Sequence, residues 1–572
     1  MKYDFRNKTP ELYESGKSGF VTEAERRIES EKRLRIPELS SGFFPHFWLT
    51  EADFTSVLYD KNGAYIDSSA SAAKAAVEGA VPLLFRAEVE GAGNYRVTVE
   101  IDNSDGDDDE LLLFITRRRL YAKEKLRAGE KFVHSYDVNV CEFIPRGYRN
   151  EFEGNSIDIS VVARQPRLTS IEIQKLTEEN AVPTVWIAGD STLTDQSCAY
   201  PYVPSTSYSG WGQMLSAFLR RGAAVSNHAH SGLTTHTFRA GGHHAIVMRH
   251  IKKGDFFVMQ FAHNDQKTDF LTAEGGYRDR LIEYVNEVRA VGAYPVIVTP
   301  LARNSWRGDG EYNDLLFDYD SACKRVGAEY GVPVIGLHDF MVEKIKSEGL
   351  EPAKRYYYPG DFTHTNDPGA YMCARFISEE LAKLTSDGYN RLAALVDTSK
   401  AEWLAPTGVK PPSPPADFKA AETPKPTSDV DGNALLTRAE ACDVLIKAAH
   451  FFTVNVYNDM FTDILGHEWY AGAVECAYQN GIIPSELATK GEGFRPDEKV
   501  TLGDFAVMAA LAYASRNKLP DALPCKLDSK CEAWSLKYIR AAHRLGIVNN
   551  DDDLSSKVTK SHAAECVRML AL

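Results

Sequence analysis

Thr184-Val185-Trp186-Ile187-Ala188-Gly189-Asp190-Ser191 is the stretch that decides the fold. Its first five positions form an apolar run too short for a buried helix, and they read as a strand covered on both faces, the mark of a parallel sheet. Gly189 permits a tight turn directly after it. In open parallel sheets ligand chemistry lies beyond the carboxyl ends of the strands, where the next helix starts. Ser191 therefore stands at a functional position, with a helix N-terminus expected behind its backbone N–H to favour negative charge. Outward from this stretch the pattern repeats. Val225-Ser226-Asn227 ends shortly before Gly232, Phe256 to Phe261 ends at His263-Asn264-Asp265, and Tyr294 to Thr299 and Val332 to Leu337 are two more apolar runs. Arg278 to Val291 reads as a helix between strands. Strands alternating with amphipathic segments from Pro183 to about Leu395 predict a parallel sheet with helices on both faces.

The polar residues at these strand ends make a compatible chemical set. Asp361 and His364 lie three apart between Pro359-Gly360 and Asn366-Asp367-Pro368-Gly369, so they sit on a loop. There the Asp361 carboxylate can hold His364 Nδ1 and leave Nε2 to take the Ser191 proton. The Asn264 amide and the Ser191 and Gly232 N–H groups can donate to an oxyanion. Each residue alone has an ordinary reading: Asp190 or Ser191 as a helix cap, Asp361 as a cap beside a surface His364, and Asn264 and Gly232 as turn residues. Together they supply a nucleophile, a base with its orienting acid, and oxyanion donors, the requirements of acyl transfer from an ester.

On these residues the chain resembles the SGNH (GDSL-type) hydrolases and, within them, is similar to rhamnogalacturonan acetylesterases. The resemblance runs from about residue 183 to 390 and includes Gly210-Trp211-Gly212-Gln213. It implies a Ser191–His364–Asp361 triad and an oxyanion hole of Ser191, Gly232 and Asn264. It implies a carbohydrate O-acetylesterase acting on plant cell-wall oligosaccharides, with pectin-type rhamnogalacturonan favoured and no cofactor. Trp211, as an aromatic wall or as core, and His263 are the candidate sugar contacts. Ala262 stands where these enzymes carry glycine, a change expected to matter little, and Leu233 stands where the acetylesterases often carry arginine. Asp195 and Asp265 are read as loop-orienting or capping residues. Arg303, Trp306 and Tyr356 to Tyr358 are candidates to line the cleft. His228, His230, His236, His243 and His244 crowd one stretch without metal-ligand spacing, so no metal is expected.

The 572 residues call for several domains. Residues 1–180 carry short alternating segments (Leu83 to Glu90, Tyr95 to Ile101, Leu111 to Ile115, Ser156 to Val162, Ser170 to Ile173) that predict a β-sandwich. This region resembles the galactose-binding-like jelly rolls, and Glu23 to Arg35 reads as a short helix. Residues 181–400 are the catalytic unit. Residues 401–430 hold seven prolines from Pro406 to Pro426 and read as an extended spacer that separates the catalytic unit from the C-terminal region. In residues 431–572, Thr437, Thr501 and Thr559 each open an apolar helix, and Thr437 with Glu440 is a capping box. This helical repeat region resembles degenerate S-layer homology repeats, which implies either a cell-wall polymer partner or self-association.

The net charge of −15 and a pI near 5.6 disfavour nucleic acid and anionic membranes. No 18-residue apolar run marks a membrane span. Nine cysteines in no dense pattern and an N-terminus without a signal sequence predict a cytoplasmic protein, with the cell surface as the alternative if a signal has been removed. Two rival functions stay open: a xylan, mannan or lipid esterase using the same chemistry, and a non-catalytic carbohydrate- or wall-binding protein.

Overall fold

A computed structural model describes residues 1–7, 11–13, 16–21, 57–66, 83–116, 118–144, 151, 154–164, 167–196, 202, 204–306, 310–404, 433–449, 461, 463–464, 469–489, 493–515, 517–520 and 523–570. The helix expected over 23–35 lies outside these residues, as does the spacer from 405 onward.

The first region holds β1 (Lys2–Asp4), β2 (Gly19–Phe20), β3 (Val57–Tyr59), β4 (Ala64–Ile66), β5 (Leu83–Glu88), β6 (Gly93–Asp102), β7 (Asp109–Ile115), β8 (Arg119–Leu126), β9 (Lys131–Val140), β10 (Ser156–Val162) and β11 (Arg167–Lys175). They pair antiparallel into one sheet ordered β3-β4-β11-β6-β9, with β1 added on β11, and a second ordered β2-β5-β10-β7-β8. One apolar core takes Val97, Val99 and Ile101 from the first sheet and Leu111, Leu113, Ile157 and Ile159 from the second. The alternation of β6 sends every second side chain inward. Strands β8 and β9 are too rich in charge to be read from their pattern. They pair through the backbone with β7 and β6, and their buried charges find partners: Arg119 lies beside Asp195, and Asp137 accepts from Arg96 of β6 and from Gly222 N.

The central unit is a five-stranded sheet of β12 (Thr184–Gly189), β13 (Ala224–Asn227), β14 (Phe256–Gln260), β15 (Tyr294–Val298) and β16 (Val334–Ile335). The order is β13-β12-β14-β15-β16 and every pair is parallel. Strand period divides the side chains between two cores. Val185, Ile187, Phe256, Val258, Val296 and Val298 pack toward helices Leu337–Glu348 and Asp367–Leu381. Trp186, Ala188, Phe257, Met259 and Ile297 pack toward helices His243–His250, Arg278–Ala290 and Phe317–Tyr330. The run Val332 to Leu337 gives only two strand residues, because Leu337 already starts a helix.

The two regions share buried polar contacts. Arg118 Nε donates to the Asp195 carbonyl at 3.1 Å, the Arg119 guanidinium lies 3.7 Å from the Asp195 carboxylate, and Gln213 donates to the Arg118 carbonyl at 2.8 Å. Leu112, Phe114 and Leu120 from the β-sheets enter the core beneath Trp211.

Helices Arg438–Ala448, Ala471–Gln479, Leu502–Ala514, Leu536–Arg544 and Lys560–Leu570 surround a further apolar core of their own. Glu440 N donates to Thr437 Oγ1 at 3.1 Å and Thr437 N to Glu440 Oε2 at 2.9 Å, the two halves of a capping box. Isolated bridges join Leu435 to Thr559, Thr437 to Lys499 and Thr501 to Lys557, so the three repeat starts meet one another. This unit is not held apart from the rest. Cys476 Sγ, on the second of its helices, lies 4.0 Å from the Gly360 carbonyl, next to Asp361.

Candidate active site

Ser191 lies two residues past the end of β12, but no helix starts behind it among the described residues. Leu193 N donates to the Asp190 carbonyl at 3.2 Å and Thr194 Oγ1 to the same oxygen at 2.9 Å, which closes a turn instead. The expected helix-terminus stabilisation is therefore corrected: a turn rather than a helix N-terminus follows Ser191, and its Thr192 and Leu193 N–H groups donate to Asp190. Among the described residues the first helix after Ser191 is the short Trp211–Met214.

Three of the residues read from the sequence come together as a hydrogen-bonded chain. His364 Nε2 is 2.8 Å from Ser191 Oγ, and His364 Nδ1 is 2.8 Å from Asp361 Oδ2. Asp361 Oδ1 accepts the N–H groups of Thr363 at 2.7 Å and His364 at 2.9 Å, and the Tyr208 hydroxyl reaches Oδ2 at 3.4 Å. Burial alone would push the Asp361 carboxyl up. His364 and these backbone N–H groups hold it below the usual carboxylate value, so it stays charged. Ser191 is 4% exposed and His364 2% exposed, so the pair works largely out of water.

The proposed oxyanion donors stand around the same strand ends. Gly232 has φ of 84°, and a side chain there would point into open space, so its backbone can meet a ligand closely. Asn264 Nδ2 donates to the Leu233 carbonyl at 3.0 Å, which fixes the amide plane and leaves its second N–H uncommitted to that carbonyl. Lys267 Nζ donates to Asn264 Oδ1 at 3.2 Å and holds the oxygen end of the same amide. Asp265 orients this loop, accepting Thr235 N at 2.9 Å, Thr235 Oγ1 at 2.5 Å and Ala262 N at 3.2 Å, while burial pushes its carboxyl up to about 7. Asp195 likewise accepts from Asn227 Nδ2 at 2.8 Å.

Three expectations are corrected here. Trp211 is fully buried in the core, so it cannot be a wall for a sugar ring. It acts through support: its Nε1 donates to Gln260 Oε1 at 2.8 Å, and Gln260 Nε2 donates to Thr192 Oγ1 at 2.5 Å, beside the nucleophile. His263 is also fully buried and touches no solvent-facing cleft. Its Nε2 lies 2.8 Å from the Leu301 carbonyl and its Nδ1 3.3 Å from Asp190 Oδ2, and burial lowers the imidazole's pKa against the pull of the Asp190 charge. This pair ties β14 to the serine turn, since Asp190 Oδ1 also accepts Thr192 N at 3.0 Å. Ala262 matters more than its small size suggested. Its φ of 124° lies in the region that favours glycine, so the alanine is strained.

Tyr208 is the functional neighbour that sequence reasoning missed. Its ring stacks on Tyr358 at 3.7 Å and meets His364 edge-on at 5.7 Å, walling one side of the imidazole. The only local signal was its place two residues before Gly210-Trp211-Gly212-Gln213. Arg303 does not line an open cleft: it is 2% exposed, with Nη2 3.3 Å from the His263 carbonyl. Among the described residues the histidine-rich stretch forms no metal cluster. Cys141, Glu142 and His250 form a compact trio, His250 standing at the end of the helix that starts at His243.

Two segments of the chain match known protein families. Residues 187–371 match the GDSL-like lipase/acylhydrolase family, and residues 461–506 match the S-layer homology domain. The chain is 32% identical over 213 residues to the rhamnogalacturonan acetylesterase RhgT of Bacillus subtilis (strain 168), covering 35% of this chain and 90% of that protein. It is 29% identical over 208 residues to the probable rhamnogalacturonan acetylesterase YesY of the same organism, covering 35% and 93%. The solved structure of the Bacillus subtilis protein YxiM aligns at 22% identity with a TM-score of 0.35, over 54% of this chain and 82% of that one.

Proposed function

We propose, from the premise that this chain belongs to the GDSL-like lipase/acylhydrolase family and is a serine carboxylic ester hydrolase, that it removes acetyl groups from plant cell-wall oligosaccharides, pectin-type rhamnogalacturonan foremost. The observation that carries the reading is the unbroken hydrogen-bonded chain from Ser191 Oγ through His364 to Asp361 Oδ2. The relatives named for rhamnogalacturonan acetyl esters support the substrate class.

In this mechanism His364 Nε2 takes the Ser191 proton as Oγ attacks the acetyl carbonyl. The negative charge on the carbonyl oxygen is met by the N–H groups of Ser191 and Gly232 and by the Asn264 amide. His364 then protonates the departing sugar oxygen. Water deacylates Ser191 by the reverse proton path, and Asp361 stays charged to stabilise the imidazolium. No cofactor enters these steps.

The flanking regions fit this reading as accessory units. Residues 1–180 are read as a galactose-binding-like sandwich, 181–400 as the catalytic unit, 401–430 as the spacer and 431–572 as the helical S-layer homology unit. That last unit favours placement at the cell surface on a wall polymer, the alternative to the cytoplasmic expectation. No helix among the described residues is long and apolar enough to cross a membrane.

The test is acetate release from acetylated rhamnogalacturonan, xylan and mannan oligosaccharides by wild type and Ser191→Ala. Release from the rhamnogalacturonan substrate that disappears in the variant is expected. Absence of release from every glycan and from p-nitrophenyl acetate would refute the catalytic reading.

A further inference from the structure

Outside the ester site, three side chains able to ligate a metal converge where the first region meets the central unit. Strand β9 ends at Val140, and Cys141 and Glu142 follow it directly. Neighbours on a continuing strand would point to opposite faces. Here they turn toward one another: Cys141 Sγ lies 3.5 Å from Glu142 Oε2. His250, the last residue of helix His243–His250, brings its Nε2 to 2.6 Å from the same oxygen. The three ligand atoms all lie within 4.8 Å of one another, although Glu142 and His250 are 108 positions apart in the chain.

The surroundings hold this trio in place. Cys141 is 9% exposed and joins Ile144 and Trp186 in a core of the central unit. The His250 ring stacks on Trp186, with centroids 6.4 Å apart and planes at 17°. Trp186 is itself fixed through Nε1, which donates to Asp255 Oδ2 at 2.9 Å. The Glu142 carboxylate divides its oxygens: Oε2 faces Cys141 and His250, while Oε1 lies 3.9 Å from the Arg249 guanidinium. That guanidinium is engaged by Glu151 through two hydrogen bonds of 2.8 Å. The nearby cation is thus answered by a second carboxylate, and Glu142 keeps its charge for a divalent ion.

Thiol, imidazole and carboxylate together are a ligand set for zinc, whereas magnesium and calcium prefer oxygen alone. With ordinary zinc bond lengths, a tetrahedral site needs sulfur–oxygen and nitrogen–oxygen edges of about 3.6 and 3.3 Å. The first edge is already 3.5 Å, and a small turn of the Glu142 side chain opens the second from 2.6 Å. The Glu142 and His250 side chains are 25% and 26% exposed, which gives the ion an entry path and a water a fourth position.

We propose that Cys141, Glu142 and His250 bind one zinc ion, which clasps the first region to the central unit. On binding, the Cys141 thiol proton leaves to solvent, and thiolate and carboxylate balance the two positive charges of the ion. The role is structural, so the proposal stands apart from the esterase reading. The spacing of the histidine-rich stretch gave no hint of it, because the ligands come from two regions and meet only in the folded chain.

The experiment titrates the full chain, stripped of metal by a chelator and kept reduced, with cobalt(II) and then with zinc. A cobalt-bound thiolate gives a near-ultraviolet charge-transfer band, and tetrahedral geometry gives strong visible bands. One equivalent of cobalt should produce both, and one equivalent of zinc should remove them. Cys141→Ser should abolish the charge-transfer band. His250→Gln should weaken cobalt binding at least about tenfold, the loss that even an outer-shell partner causes. At a hundredfold excess over its Kd, zinc should raise the wild-type unfolding midpoint by roughly 4 °C, and magnesium should not. No charge-transfer band in the folded wild type, a band that survives in Cys141→Ser, or an equal rise with magnesium would overturn the site. If Cys141→Ser fails to fold, His250→Gln decides alone, and unchanged cobalt affinity in that variant would overturn the site equally.

Discussion

Asp361→Asn separates positioning from packing at the candidate triad. Asp361 Oδ1 accepts two backbone N–H groups, from Thr363 and His364, and an asparagine Oδ1 keeps both. The loop should therefore hold, with a stability change within about 1 kcal/mol. On the other side, the amide nitrogen replaces Oδ2 opposite His364 Nδ1, now 2.8 Å away. Two donors cannot face each other there, so His364 turns to the tautomer with its proton on Nε2. That proton then points at Ser191 Oγ, 2.8 Å off, where a lone pair is needed. The imidazolium also loses its buried counter-charge. Loss of both effects in a serine triad amounts to roughly 10,000-fold in kcat, or about 5.5 kcal/mol, with KM little changed. The assay is steady-state hydrolysis of p-nitrophenyl acetate and acetate release from oligosaccharide, alongside thermal unfolding of the same preparations. A variant that melts like wild type yet keeps more than about a tenth of its kcat would refute the tautomer argument.

Asn264→Ala should lower kcat by roughly 100- to 1,000-fold with little change in KM, because its amide is set to meet charge present only in the transition state. Ala262→Gly should raise the urea midpoint, by about 1 kcal/mol of stability, since relief of the strained φ of 124° outweighs the extra freedom of glycine in the unfolded chain. Asp367, buried beneath Tyr202 and the Ser205 N–H, has its carboxyl pushed up to about 7 by burial. A raised folded value means the folded state binds a proton that the unfolded state releases. That contribution is complete below about 4 and is lost as pH rises through about 7. Unfolding midpoints of Asp367→Asn measured from pH 5 to 8 should therefore fall less steeply than those of wild type.

The central sheet was legible because its strands are buried on both faces, and continuous apolar runs such as Phe256 to Phe261 allow few other readings. The triad was legible because Asp361 and His364 sit on one short loop, and local spacing sets which atoms they can share. Strands β8 and β9 were not legible, because charges such as Arg119 and Asp137 interrupt their apolar pattern and find partners distant in sequence, Asp195 for the first, Arg96 and the Gly222 N–H for the second. Trp211 and His263 misled for a related reason: polar and aromatic residues beside a site look alike whether they face the ligand or brace the loop behind it. Their full burial and their contacts, with Gln260 for the first and with Leu301 and Asp190 for the second, separate the two.

The sequence by itself determined the chemistry available to this protein: a serine, a histidine and an aspartate at the ends of buried strands and on one loop, together with the helix caps Thr437 and Thr501. These arise from local rules of periodicity, spacing and capping that act over a few residues. Tertiary structure alone decided that Arg118 and Arg119 of one unit clamp Asp195 beside the serine turn, and that Cys476 of another unit rests on Gly360. Those contacts join residues from 76 to 116 positions apart. Burial and charge pairing between units select them, and no local pattern carries that information.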